Sequence, residues 1–176
     1  MPSKISGLMY GEHAIILEAA DISSTLDRTW EVDPIAYEKT MVMLLNFFSE
    51  YADRFHHYKE EDILFPAMQR TDELSAISMV CEFTEHHEEF RELALLIRAD
   101  MMDKNYAAAQ AKLNVYMNSL QDHIAAENEE LFPMADTLLS EEVLERLYFQ
   151  CLDKDAELGQ TRKEEMENEI KNFKLK

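Results

Sequence analysis

The chain has 176 residues, which is enough for one domain with a sizeable core and too few for two full domains. Its 36 acidic residues outnumber its 17 basic ones and give a formal net charge of −19, which argues against nucleic acid and anionic membrane surfaces as partners. Only three glycines and four prolines occur, so β-hairpins are disfavoured and the composition predicts an all-α fold.

The N-terminal residues lack the features of a secretory signal. No basic start is followed by a continuous apolar run, and no later stretch approaches the apolar length that spans a bilayer. We therefore expect a cytoplasmic protein. Cys81 and Cys151 stand far apart without a C-x-x-C spacing, so we expect two core thiols rather than a disulfide or a thiolate metal site.

Apolar residues at helical spacing predict four long helices. These run from about Ile5 to Leu26, Pro34 to Met68, Asp72 to Met102 and Tyr106 to Leu139. Short polar connections predict an antiparallel up-down-up-down four-helix bundle over residues 1–139. Residues 140–176 open on an N-cap serine, and we expect an additional C-terminal helix that packs on the bundle, frays, or provides a surface for a homodimer or protein partner.

One motif occurs on both the second and the fourth predicted helix. The segment HHYKEEDILFPAM recurs 67 residues later as HIAAENEELFPMA, which aligns His56 with His123 and Glu60 with Glu127. In each copy the histidine and glutamate are four residues apart and project from one helix face. The offset spans two helices and two turns, so it predicts helices related by a pseudo-twofold axis. The shared Leu-Phe-Pro predicts a kink in both.

The first and third helices carry further histidines. His13 lies on an apolar stripe, so its ring is expected in the core. His86 and His87 are adjacent, only one can point squarely inward, and periodicity leaves the choice open. Burying four imidazoles and two carboxylates without partners is costly, and a metal centre removes that cost. Imidazoles with bridging carboxylates suit iron, manganese or zinc, and two facing glutamates predict a dinuclear site.

The order of these residues resembles the hemerythrin-like (HHE cation-binding) family, and its bacterial members in particular, over roughly residues 5–139. The pattern H … H-x-x-x-E … H … H-x-x-x-E is carried by His13, His56 with Glu60, His87, and His123 with Glu127. The resemblance implies a four-helix bundle with two iron ions (Fe²⁺/Fe³⁺) per chain, bridged by both carboxylates and by an oxo or hydroxo group. The family's H-x-x-F matches His87 with Phe90, which favours His87 over His86.

The chain departs from the oxygen-carrying hemerythrins at Phe83, where they have a further histidine. One iron is therefore expected to lack an imidazole, and water, an exogenous ligand or a carboxylate such as Glu61 or Glu12 is expected in its place. His57 lies about 100° around an α-helix from His56. We expect it at the surface or as a hydrogen-bond partner of a ligand.

The resemblance implies a protein whose iron pair binds dioxygen, peroxide or nitric oxide, in oxygen or iron sensing or in a redox response. One alternative is a di-iron enzyme with oxidase or peroxidase-like activity. Another is an iron-storage or other metal-binding protein. The residues leave open whether the protein is an enzyme, and they identify metal ligands rather than catalytic groups.

Overall fold

The computed structural model describes residues 1–173, apart from the side chains of Leu158 and Gln160, and it is a bundle of helices. The α-helices are α1 (Lys4–Ser24), α2 (Pro34–Phe47), α3 (Phe65–Gln69), α4 (Leu74–Met102), α5 (Tyr106–Ala126), α6 (Phe132–Leu138), α7 (Glu141–Leu158) and α8 (Gln160–Lys171). The described residues form no strand, so the prediction of an all-α bundle is confirmed. None of the helices in this part of the chain is both long and apolar enough to cross a membrane.

Side-chain caps explain where the first two helices begin. The Ser3 hydroxyl accepts a hydrogen bond from the Ser6 backbone N–H at 3.2 Å, ahead of α1. The Asp33 carboxylate accepts from the Ala36 N–H at 2.9 Å, and Pro34 occupies the first turn of α2 as predicted. These local bonds set the starting points of the two helices.

The second and fourth long helices of the bundle contain π-helical turns. α2 continues into π segments at Phe48–His57 and Glu60–Leu64 before α3 begins, and α5 continues into a π segment at Glu127–Leu131 before α6. A π-helix pairs each N–H with the carbonyl five residues back, which makes a wider turn. The predicted helix from Pro34 to Met68 is therefore continuous but not uniformly α-helical.

The two π turns ahead of the prolines are equivalent. The Phe65 N–H donates to the Glu60 carbonyl oxygen, and the Phe132 N–H donates to the Glu127 carbonyl oxygen. A proline follows each phenylalanine and has no N–H for the ordinary helical bond, so a change of register costs less there. The motif repeat is thus also a repeat of backbone geometry, and each wide turn starts at a motif glutamate.

The chain after Ser140 forms two helices that pack on the bundle. The Ser140 hydroxyl caps α7, as predicted. Gly159, with φ 93°, separates α7 from α8 in a conformation that suits glycine. Side chains on both helices are buried against the bundle: Leu144, Leu147, Cys151, Met166 and Ile170. Cys151 is therefore a core thiol, but the same prediction is wrong for Cys81, which is exposed because its neighbour Val80 takes the inward position on α4.

The core consists of two apolar clusters with a polar layer between them. One cluster contains Phe55 and Ile124, and the other contains Leu64 and Leu131. The two motifs pass from the first cluster to the second, so the histidine and glutamate of each copy lie at the junction. This junction is where the candidate site is found.

Candidate metal centre

All six predicted ligands meet at the junction between the apolar clusters. None of their residues is more than 3% exposed. They come from four long helices: His13 on α1, His56 and Glu60 on the π segments after α2, His87 on α4, His123 on α5, and Glu127 on the following π segment. Their donor atoms fall into two groups.

The first group contains His13, His56, Glu60 and Glu127, with one potential ligand atom from each lying within 4.8 Å of the others. The Nε2 atoms of His13 and His56 are 2.8 Å apart. Glu127 Oε2 lies 3.2 Å from His13 Nε2, and Glu60 Oε1 lies 3.4 Å from His56 Nε2.

The second group is built around His87 and His123, whose Nε2 atoms are 3.1 Å apart. The remaining oxygens of the two glutamates face it, with Glu127 Oε1 3.2 Å from His123 Nε2 and Glu60 Oε2 3.6 Å from His87 Nε2. Each glutamate thus turns one oxygen toward each group, which is the arrangement of a carboxylate that bridges two ions.

Two of the histidines are oriented by the residue that directly follows a motif glutamate. His13 Nδ1 lies 2.8 Å from the amide oxygen of Asn128, and His87 Nδ1 lies 2.7 Å from a carboxylate oxygen of Glu61. These oxygens are acceptors, so the Nδ1 atoms donate and the Nε2 atom of each ring faces the site.

The other two histidines are oriented by the residue that directly precedes a ligand histidine. His56 Nδ1 donates to the Glu12 carboxylate at 2.9 Å, and His123 Nδ1 lies 3.3 Å from Nδ1 of His86. The pseudo-twofold relation therefore extends to the groups behind the ligands. The Nε2 atom of His87 lies among the converging donor atoms, whereas His86 lies outside them, behind His123.

A pair of cations fits these donor atoms. The four oxygens of Glu60 and Glu127 are buried and have no well-aligned hydrogen bond from the described part of the chain. The Nε2 lone pairs of neighbouring histidines also face one another. Lone pairs and negative charges that converge in a buried space are destabilising unless a cation or protons lie among them. Imidazole with carboxylate is a ligand set for iron, manganese or zinc.

The charges of the site confirm how strongly its groups interact. Burial lowers the pKa of His56, but the carboxylates of Glu60 and Glu12 outweigh burial and raise it to about 10. Burial also lowers the pKa of His87, but Glu127 and Glu61 outweigh burial and raise this pKa to about 9. We therefore expect both rings to carry a proton when no metal ion is bound.

His57 lies inside the site, so the expectation of a surface position is wrong. It is 2% exposed, and a ring nitrogen lies within 4.8 Å of ligand atoms of His87 and His123. The reason is the π segment Phe48–His57, because more residues per turn bring neighbouring side chains closer to one direction than in an α-helix. Burial and the adjacent imidazoles hold the pKa of His57 well below its usual value, so the ring is neutral.

The His57 ring stacks on His87 rather than converging with it. The ring centroids are 3.8 Å apart and the planes differ by 9°. The lone pair of an imidazole nitrogen lies in the ring plane, so one ion cannot lie in both of these parallel planes. We therefore leave His57 out of the proposed ligand set. Its ring packs against that of His87 and lines the site.

Phe83 supplies no donor at the predicted open position, and neither do the carboxylates of Glu61 and Glu12. The Phe83 ring is buried and packs edge-on against His123, with centroids 5.2 Å apart. Glu61 and Glu12 face the Nδ1 atoms of His87 and His56, on the side of each ring away from the site. In this structure neither carboxylate takes the place of the missing imidazole.

A surface cleft between α4 and α5 borders one of the predicted ligands, His123. Its volume is about 260 Å³, and its lining includes His86, Phe90, Asp122 and the ligand His123. The cleft is large enough for a diatomic molecule or peroxide, so it is a candidate access route.

Comparing the variants His87→Ala and His86→Ala tests which of these two histidines is a metal ligand. His87→Ala removes an Nε2 that faces both glutamates, and we expect bound metal to fall below the wild-type ratio. His86→Ala removes only the group behind His123, so we expect the wild-type ratio with affinity weaker by about 10-fold. Metal analysis of both variants after dialysis checks this, and equal loss in both would contradict the placement of His86.

Comparison with known proteins gives one family match. The model of the family described as "Hemerythrin HHE cation binding domain" matches residues 4–135 of the chain. No curated protein and no solved structure matches it. The matched segment contains all six predicted ligands and ends before α7.

Proposed function

Because the chain belongs to the hemerythrin HHE cation-binding domain family, we propose that it holds two iron ions and binds dioxygen, peroxide or nitric oxide there. His13 and His56 are the imidazole ligands of one ion, and His87 and His123 those of the other. Glu60 and Glu127 bridge the pair. The observation that carries the proposal is that each buried glutamate turns one oxygen to each imidazole group.

An iron pair, when bound, supplies redox chemistry and coordination positions for a small ligand. The chain's own residues hold and enclose that pair. Hydrogen bonds at the Nδ1 atoms fix the ring orientations of the ligand histidines. Phe132 lies against His13 and Phe65 against His87, with ring centroids 5.4 and 5.9 Å apart. These apolar contacts limit water near the ligands, and the cleft beside His123 gives a small molecule access.

We assign this binding to oxygen or iron sensing or to a redox response in the cytoplasm. Stable oxygen carriage is less well supported, because Phe83 supplies no donor where oxygen-carrying hemerythrins have an imidazole. Iron storage is also less well supported, because the described residues form one buried pair of donor groups and not an extended set of sites.

Metal content of gently purified, untagged protein tests the proposal. We expect about two irons per chain by inductively coupled plasma mass spectrometry, either as purified or after anaerobic reconstitution with ferrous iron. No iron, or a single zinc, after both treatments would overturn the di-iron assignment.

A di-iron enzyme with oxidase or peroxidase-like activity is the second candidate, and the Phe83 position favours it. A position without a protein ligand allows dioxygen or peroxide to be consumed rather than bound reversibly. Catalytic loss of peroxide by the iron-loaded wild type supports the enzyme. The variant Phe83→His places an imidazole at that position. A long-lived oxygen adduct and lower peroxide consumption in this variant would also support the enzyme. No consumption by the wild type would favour binding or sensing.

A further inference from the structure

A cluster of four charged side chains lies behind His56, and three of them are buried while the fourth, Lys163, is 12% exposed. We call it the buried charge cluster: Glu12 on α1, Lys59 between the two π segments, Asp155 on α7 and Lys163 on α8. Lys59 is 0% exposed, and Glu12 is 2% exposed. Lysine is almost never fully buried unless it is paired, so the position of Lys59 depends on its partners.

The four side chains alternate in charge. Asp155 Oδ1 lies 2.5 Å from the Lys59 ammonium nitrogen as an ion pair, and Asp155 Oδ2 accepts a hydrogen bond from Lys163 at 2.7 Å. Glu12 accepts from the same two ammonium groups, at 3.1 Å in the case of Lys163. Both ammonium groups also lie over the Phe55 ring, 3.7 and 4.8 Å from its centroid. Two positive and two negative charges therefore balance one another in a buried space.

One carboxylate of the cluster also reaches the metal site. Glu12 uses Oε2 to accept from His56 Nδ1 at 2.9 Å, while Oε1 faces the two lysines. Its orientation, and the negative charge that His56 experiences, therefore depend on the lysines. Because Asp155 holds those lysines, helices α7 and α8 are connected to a candidate metal ligand through a chain of ion pairs.

The pseudo-twofold repeat has no such cluster on its other side. The residue 67 positions after Lys59 is Ala126, and the group behind His123 is an imidazole, His86, rather than a carboxylate. The repeat explains the ligands but not the cluster. Asp155 and Lys163 also lie beyond the matched segment 4–135, so the family match does not account for them either.

We propose that Asp155 and Lys163 are positioning residues for the metal site, which makes the C-terminal helices part of the metal-binding unit. The proposal rests on the proposed metal-binding function. Lys59 and Lys163 hold the Glu12 carboxylate in line with His56 Nδ1, and they set the charge behind that ligand. Asp155 keeps both lysines in place.

Two neutralising substitutions test the proposal because their electrostatic effects are opposite. Lys163→Met removes a positive charge near His56, which favours the oxidised, more positive iron, so the midpoint potential of the iron-loaded protein falls. Asp155→Asn removes a negative charge, so the potential rises. A purely structural role predicts no such opposition of sign. Iron(II) release to a chelator is expected to be about 10-fold faster in both variants than in the wild type. The variant Lys163→Arg keeps the positive charge, so its midpoint potential and its iron(II) release rate are expected to match those of the wild type.

Matched controls lie on the same helices away from the cluster. Lys171→Met breaks an exposed α8 ion pair with Glu167, and Asp153→Asn neutralises an exposed α7 carboxylate. Screening by salt leaves the potential unchanged in both controls. Shifts of one sign in the two cluster variants, or shifts no larger than those of the controls, would overturn the proposal alone. A wild type without iron would overturn the proposed function, and this inference with it.

Discussion

Replacing both Glu60 and Glu127 by glutamine is expected to abolish metal binding. The metal content should fall from about two ions per chain to nearly none. The four oxygens of these carboxylates are the buried groups that face both imidazole pairs without an aligned hydrogen bond. Glutamine keeps the shape of the side chain but removes the negative charge that holds a cation. Elemental analysis after reconstitution and desalting measures the loss.

The same double variant is expected to lose the stabilisation that metal gives to the native state. A ligand present at 1,000 times its dissociation constant stabilises the folded protein by about 4 kcal/mol. The melting temperature of the wild type therefore rises with added metal, and that of the variant does not. Asp62→Asn with Glu129→Gln is the matched control, since both side chains are exposed within the same π turns. Wild-type metal content in Glu60→Gln/Glu127→Gln would rule out the bridging assignment.

Metal loading is expected to release about two protons at neutral pH. Without metal, His56 has a pKa of about 10 and His87 of about 9, so both rings are protonated at pH 7. An ion that takes their Nε2 lone pairs must displace those protons. Below about pH 9 the apparent affinity for metal should therefore fall by about 100-fold for each unit that the pH is lowered, since each of the two displaced protons contributes about 10-fold. Calorimetric titration in buffers of different ionisation enthalpy counts the protons.

The sign for the metal-free protein follows from the same two pKa values. A histidine whose pKa is raised by folding stabilises the native state fully below its unfolded value of about 6.5, and this contribution is lost as the pH rises toward the folded value. The free energy of unfolding of the metal-free protein should fall between about pH 6.5 and pH 10. In the metal-loaded protein the same rings carry no proton, so this fall should be absent. Metal uptake without proton release would contradict both expectations.

Much of the fold and of the candidate metal site was predictable from local patterns. Helical periodicity, scarce glycine and short connections predicted the all-α bundle, because helices form from bonds between residues near in sequence. The repeated H-x-x-x-E identified His56, Glu60, His123 and Glu127, because a spacing of four places both side chains on one helix face. In the structure His56 faces Glu60 and His123 faces Glu127, as that spacing implies.

The orientation of neighbouring histidines was not predictable in this way. Periodicity did not separate His86 from His87, and it placed His57 away from the site because it assumed an α-helix throughout. His57 lies at the end of the π segment Phe48–His57, whose sequence contains neither proline nor glycine to indicate a change from α-helix. Prolines follow the later π turns, Glu60–Leu64 and Glu127–Leu131, but a proline does not by itself specify a π turn.

By itself, the sequence determined that the chain is helical and which side chains are candidates to hold a metal ion, since both depend on spacing along one helix. Only the tertiary structure decided what stands behind those ligands. Glu12, Asn128 and Glu61 reach their histidines from other helices, and Asp155 and Lys163 approach from α7 and α8. Contacts between residues so far apart in sequence depend on which sides of the helices pack together, and the packing of the whole chain decides this arrangement.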